Sequence, residues 1–261
     1  MSKLPEAASD GGVFETLAVV KGEPRLLARH LARLAEGSRR LNIKLPAGSV
    51  LAARICEQAA TAGAGVVKVI ASQKPDGRGE PSQPIVRAEP PRLRPLEWSR
   101  DGISVIRCRT RFPIEPHLAG LKLVDRQPQL LARREWTSSA IAEGLMLDSE
   151  GRLVGGTMTN VYAVIDDELC TPAIVRCGVA GVMRASLLQY WQRSGTPAIV
   201  RDIDPGELNA ASELFVSNAL IGIWPVRAVD GQRYAVGPVG RTASSWVQRI
   251  VKDHEPGIEE S

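Results

Sequence analysis

Two changes of hydrophobic period close to the N-terminus limit what this chain can become. VFETLAVV at 13–20 is apolar and rich in β-branched side chains, as a strand requires, and KGEP at 21–24 reads as its turn. From Arg25 to Leu41 the period lengthens, with Leu26, Leu27, Leu31, Leu34 and Leu41 at helical spacing and arginines between them. A second helix fits 49–62. GVVKVIAS at 65–72 reads as a buried strand closed by the loop KPDGRGEPSQ, and PIVRAE at 84–89 as another strand. Strand and helix interleave, and such a chain must stack helices on a sheet.

The proline-rich EPPRLRPLEW at 89–98 cannot continue a helix or a central strand, so it is a connector or a sheet edge. A strand at 103–108 leads into a second proline-punctuated connector, RTRFPIEPHLAG. Beyond it the pattern predicts a helix over 127–142, strands at 144–148, 152–154, 159–165 and 168–171, and a helix from Gly181 to about Arg193. Strands at 197–201, 213–217 and 222–229 follow. The expected architecture is α/β with mixed sheets in two domains: 1–110, a connector at 111–119, and 120–261.

Composition removes several function classes. The net charge of +4 comes from arginines spread along the chain, and only 4% of residues are aromatic, so no nucleic-acid surface is expected. Cys56, Cys108, Cys170 and Cys177 show no C-x-x-C spacing and do not pair with His30, His117 or His254 as metal ligands would, which predicts reduced thiols and no metal. MSKLPEAASD lacks the apolar core of a signal peptide, and no stretch approaches a membrane span. A soluble cytoplasmic enzyme acting on a small molecule is expected. The P-loop, G-x-G-x-x-G, H-E-x-x-H and G-x-S-x-G patterns are absent.

The scarcity of lysine narrows the search for a nucleophile to seven positions. A lysine that condenses with a carbonyl must spend time as the neutral amine, and an apolar setting lowers its pKa. Lys68 in VVKVIAS and Lys122 in LAGLKLVD have such settings. Lys122 is the better candidate, because it follows an irregular connector and precedes a helix, although either could be a strand lysine whose head reaches water. CGVAGVMRASLLQYW at 177–191 places glycines before an amphipathic helix, the arrangement that presents backbone N–H groups to a phosphate.

In order, these segments resemble the pyridoxal 5′-phosphate (PLP) enzymes of the D-amino-acid and branched-chain aminotransferase fold, most closely their aminodeoxychorismate lyase branch. GVFETLAVVKG and HLARL resemble the family's opening strand and first helix, LAGLKLVDR its lysine segment, and LDSEGRLVGGTMTNVYAV its hairpin ending in asparagine. GVMR resembles its phosphate-binding helix start, and SNALIGIWPV the lyases' N-A-L segment. The resemblance implies a homodimer with the cofactor in the interdomain cleft. Lys122 would carry the aldehyde and act as acid and base, and Arg33, Val182, Met183, Asn218 and Ala219 would receive the phosphate. Asn160 would flank the cofactor, and Arg126 would contact its phenolic oxygen or bridge at the surface. Glu15 and Thr16 would line the pocket and assist proton transfer, or Thr16 would be a plain strand residue. Arg109 and Arg111 would clamp substrate carboxylates or be solvated loop arginines. His30 reads as structural, and His117 could approach from the connector.

One departure bears on the reaction. Most of the family has a glutamate five residues before that asparagine, paired with the pyridine nitrogen; this chain has Gly155. A weaker electron sink suits a lyase whose product becomes aromatic better than a transaminase. The implied reaction is conversion of 4-amino-4-deoxychorismate to 4-aminobenzoate and pyruvate. An aminotransferase on D- or branched-chain amino acids, and a non-catalytic binding protein of the same fold, are the alternatives.

Overall fold

The computed structural model describes residues 11–72, 83–91 and 93–252, with side chains to 249. The glycine-rich loop expected after Lys74 lies, but for Gln83, outside the described residues. The chain divides into two compact units: residues to Leu93 together with Leu121–Arg126, and Arg94–Gly120 together with the remainder from Gln127.

In the first unit, β1 (Gly12–Val20), β2 (Glu23–Pro24), β3 (Gly65–Ser72) and β4 (Ile85–Glu89) form an antiparallel sheet in the order β2-β1-β3-β4. The mixed sheet expected here is therefore wholly antiparallel. Helices α1 (Leu27–Arg40) and α2 (Gly48–Ala62) follow the helical periods read from the sequence. Because side chains alternate along a strand, Val13, Leu17 and Val19 of β1 point one way, and they bury against Leu34, Leu51, Ile55, Val67 and Val69. Gly37 lets α1 approach closely, since a Cβ there would lie 2.9 Å from Val13 Cγ1. On the opposite face of β1, Phe14 and Thr16 stand across from Ile70 and Lys68.

Leu121–Arg126 belongs to this unit because it pairs with the free edge of β1. Phe14 N–H donates to the Lys122 carbonyl at 2.9 Å, Val124 N–H to the Gly12 carbonyl at 2.8 Å, and Val13 bridges Leu123. The boundaries differ from those read in the sequence: the division falls at Leu93 and again on either side of the lysine ribbon. Long-range pairing decides this, and the proline connectors do not signal it.

The second unit begins with a short helix, α3 (Glu97–Asp101), and β5 (Ile103–Phe112). Helix α4 (Gln127–Ala132), with a 3₁₀ turn over Arg133–Glu135, precedes β6 (Ile141–Asp148), β7 (Leu153–Gly156), β8 (Asn160–Ile165) and β9 (Glu168–Pro172). Helix α5 (Val182–Arg193), β10 (Ile199–Arg201), β11 (Glu213–Asn218), β12 (Gly222–Val229), β13 (Gln232–Arg233) and α6 (Pro238–Lys252) complete it. The nine described strands run β10-β9-β8-β11-β12-β5-β6-β7, with β13 on β12. The sheet is mixed: β10–β9, β12–β5 and β5–β6 are parallel and the other pairs antiparallel.

Beyond the short α3, β2 and β13, three longer elements depart from the sequence reading. Strand β5 continues through RTRF, where a connector was expected; its pairing with β6 shifts between Arg107 and Arg111, and Glu135 takes the N–H groups of Arg109 (2.7 Å) and Thr110 (2.8 Å). The helix expected over 127–142 stops at Glu135, because 141–148 is drawn into the sheet between β5 and β7. Helix α6 was not foreseen. No helix among the described residues is long and apolar enough to cross a membrane.

Candidate active site

Lys122 is half-buried on the ribbon beside β1, with its Nζ 4.4 Å from the centre of the Phe14 ring. Arg126 stands 5.3 Å and Lys68 5.5 Å from the same centre. A ring face attracts cations, yet three positive groups on one ring disfavour one another's charge. Burial, followed by the charges of Arg33, Arg126 and Lys68, lowers the Lys122 amine to about 8; Glu15 alone among its named neighbours opposes the shift. Phe14, Lys68, Ile70, Val124 and Arg126 line a hollow beside it. The runner-up lysine of the sequence reading thus neighbours the preferred one.

Glu15 points to the other side of β1, where α1 covers it, and is 2% exposed. It accepts from Arg33 Nε at 2.7 Å, and Arg33 Nη2 and His30 Nδ1 (2.6 Å) share its second oxygen. Burial raises its pKa, but the Arg33 and His30 hydrogen bonds and charges outweigh that and bring it to about 2. A carboxylate so held is a poor acid and a weak base, which leaves Glu15 the anchor of Arg33 and His30 instead of the proton carrier expected. Arg33, expected on a phosphate, is forked onto Glu15. Burial holds His30 below the ordinary histidine value, and its Nε2 is buried without a hydrogen-bond partner. Thr16 is half-buried opposite Lys68. His117 is exposed in a turn of the second unit.

In the second unit, Val182 and Met183 are buried in the first turn of α5, where backbone N–H groups have no acceptor within the helix. Asn160 fixes the approach: its Nδ2 donates to the Val179 carbonyl at 2.9 Å, and its Oδ1 fills the space a Cβ on Gly181 would need. The side chain of Asn218, expected to face the phosphate, is engaged within its own turn. Its Nδ2 donates to the Met158 carbonyl (3.1 Å) and its Oδ1 accepts from Leu220 (2.8 Å) and Ile221 (2.9 Å), leaving Ala219 half-buried in the turn so formed. Arg109 and Arg111 are exposed on β5; Arg109 approaches Glu135 at 3.8 Å, and Arg111 donates to the Cys108 carbonyl.

Gly155 stands where the resemblance implies a glutamate. A side chain at this position would be crowded, since a Cβ on Gly155 would lie 2.8 Å from the Thr159 carbonyl oxygen. The nearby Glu143 of β6 is fully buried and accepts five hydrogen bonds from Gly144 and the β7–β8 turn. Its signal, a lone acid in the apolar run IAEGLMLD, was there to read, as was Phe14 beside Glu15. Arg184 in the first turn of α5 was passed over as well. It is 9% exposed, donates to the Pro172 carbonyl at 2.9 Å, and forms no ion pair with a carboxylate among the described residues.

Comparison with known proteins places the fold and the family. The crystal structure of 4-amino-4-deoxychorismate lyase from Pseudomonas aeruginosa superimposes with a TM-score of 0.86 at 40% identity, covering 97% of this chain and 96% of that one. The aminodeoxychorismate lyase of Vibrio harveyi is 33% identical over 147 residues, 56% of this chain and 54% of its own, so this match spans about half the length of that relative. The branched-chain aminotransferase of Thermoproteus uzoniensis shares the fold, with a TM-score of 0.83 at 22% identity over 98% of this chain and 91% of its own. The family model for amino-transferase class IV matches residues 12–229, and the chain belongs to that family.

Proposed function

We propose that the chain is a PLP-dependent lyase that converts 4-amino-4-deoxychorismate to 4-aminobenzoate and pyruvate, with Lys122 as tether, base and acid. The observation that carries the reading is the Lys122 amine lowered to about 8 among neighbouring cations. The 40% identity to the Pseudomonas aeruginosa lyase supports the substrate.

The residues present fit the cofactor. Lys122 offers an amine that is about one-tenth neutral at pH 7, against roughly one part in three thousand for an ordinary lysine. The first turn of α5 offers N–H donors, and the buried Arg184 there, whose Nε lacks a partner, adds positive charge that the helix dipole disfavours and a phosphate would relieve. Bound, PLP supplies an aldehyde that condenses with amines and a ring that accepts an electron pair.

With cofactor and substrate bound, the neutral Nζ of Lys122 would take the proton from the substrate carbon that bears the amine. The Phe14 face steadies the resulting ammonium, which then returns its proton to the departing enolpyruvyl group. Lys68 and Arg126 beside the hollow are cations suited to a substrate carboxylate. Gly155, where a side chain would be crowded, supports a lyase over a transaminase, because no acid from that strand position can strengthen the electron sink. We further propose a cytoplasmic homodimer.

Borohydride reduction followed by peptide mapping tests the linkage and should leave the label on Lys122. The Lys122→Ala variant should lose 4-aminobenzoate formation by at least roughly 10²–10⁴-fold, the share that proton transfer alone supplies. Full turnover in that variant, or rapid conversion of the wild-type chain to its pyridoxamine form by alanine or leucine, would overturn the assignment.

A further inference from the structure

The turn between β7 and β8, Thr157–Thr159, is tied down from three directions within the second unit. From beneath, the buried Glu143 carboxylate accepts from the N–H of Thr157 at 3.1 Å, the N–H of Met158 at 3.2 Å and the Thr159 hydroxyl at 3.0 Å, and also from the Thr157 hydroxyl. From the side, Asn218 holds the Met158 carbonyl while gathering the N–H groups of Leu220 and Ile221. Immediately after the turn, Asn160 ties to the Val179 carbonyl and packs its Oδ1 against Gly181, the residue before α5.

The turn is thus a hub between the start of α5, whose first backbone N–H groups have no acceptor within the helix, and the 218–221 turn, whose Leu220 and Ile221 N–H groups are held by Asn218. Its foundation is one carboxylate. Space for any other arrangement is missing, since a Cβ on Gly156 would lie 2.2 Å from Thr159 Oγ1 and 2.9 Å from Glu143 Oε2. Burial holds the Glu143 carboxyl above the ordinary carboxylate value and its donors offset only part of that; all five bonds require the ionised, acceptor-only form.

We propose that Glu143 is a positioning residue for the phosphate of the cofactor: by holding Thr157–Thr159, and through it Asn160 against Gly181, it sets where the N–H groups at the start of α5 stand. The proposal rests on the reading that the phosphate is received at the start of α5. Glutamine at this position cannot accept all five bonds, because its amide nitrogen is a donor facing donors. The turn then loosens, and with it the donor spacing that a phosphate needs.

The test separates phosphate recognition from general stability. Apo wild-type protein, Glu143→Gln and Thr159→Val are titrated with PLP and with pyridoxal, the same aldehyde without phosphate, following the absorbance of the lysine-bound aldehyde. Inorganic phosphate serves as competitor, and thermal unfolding is recorded in parallel. Glu143→Gln is expected to bind PLP at least tenfold more weakly, to bind pyridoxal unchanged, and to lose competition by phosphate. Thr159→Val, which deletes one buried bond to the same carboxylate and keeps the side-chain shape, should show the same selectivity in smaller degree and covers the case in which Glu143→Gln does not fold. Equal losses for both aldehydes, or a lower melting temperature with both affinities intact, would overturn the proposal. A wild-type protein that binds pyridoxal as tightly as PLP would overturn the phosphate reading itself, and that outcome is visible before any variant is made.

Discussion

Lys122, on the ribbon beside β1, and Glu15, within β1, are both perturbed by Arg33. Because burial and neighbouring cations bring the Lys122 amine to about 8, condensation of the apo chain with PLP should accelerate as pH rises, with a midpoint near 8 instead of the ordinary lysine value of 10.5. Stopped-flow absorbance from pH 6 to 10 would measure this. Removing the opposing charge with Glu15→Gln should move the midpoint lower. That substitution also strips a 2%-exposed carboxylate from Arg33 and His30, and should destabilise the chain by about 3–5 kcal/mol in urea unfolding. The linkage has a definite sign. A carboxyl lowered to about 2 stabilises the fold at pH values above its unfolded value of 4.5, and that contribution disappears as pH falls from there toward 2. Lys122 was legible in the sequence because its surroundings are local. The fork between Arg33 and Glu15 was not, since it joins residues 18 apart whose meeting depends on how α1 lies across β1.

Among the elements, those with a strong period of their own were the ones the sequence revealed. Strand β1, helices α1 and α2, and helix α5 fall within a few residues of expectation. The failures are segments whose state is chosen by partners elsewhere. The Ile141–Asp148 strand is claimed by β5 and β7, and the end of β5 persists because Glu135 satisfies donors that β6 leaves. Helix α6 opens with Pro238, a usual first residue, and its N-terminal cap comes from outside: Glu213 of β11 accepts from the N–H groups of Val239 (3.1 Å) and Gly240 (3.0 Å). Replacing Glu213 with alanine should cost about 1–2 kcal/mol, in the range of lost helix caps. It should also weaken the near-ultraviolet circular dichroism of Trp246, which stacks on Tyr190 at 4.5 Å.

For the molecule as a whole, the two-unit α/β plan was readable from the interleaving of periods, and the boundaries were not, because a ribbon's allegiance is set by its hydrogen bonds. The proposed homodimer predicts a sedimentation mass near twice 28.1 kDa, and a mass that stays at 28.1 kDa at micromolar concentration would refute it. Leu93, Leu96, Leu130 and Leu131 are exposed apolar side chains that such an association could cover. The first unit is built from two separated stretches of chain, one of them only the six residues Leu121–Arg126. A unit so made cannot be inherited as a cassette: a recombination event that transplants residues 11–93 into another gene leaves the lysine behind. Such a transfer separates the scaffold from its chemistry.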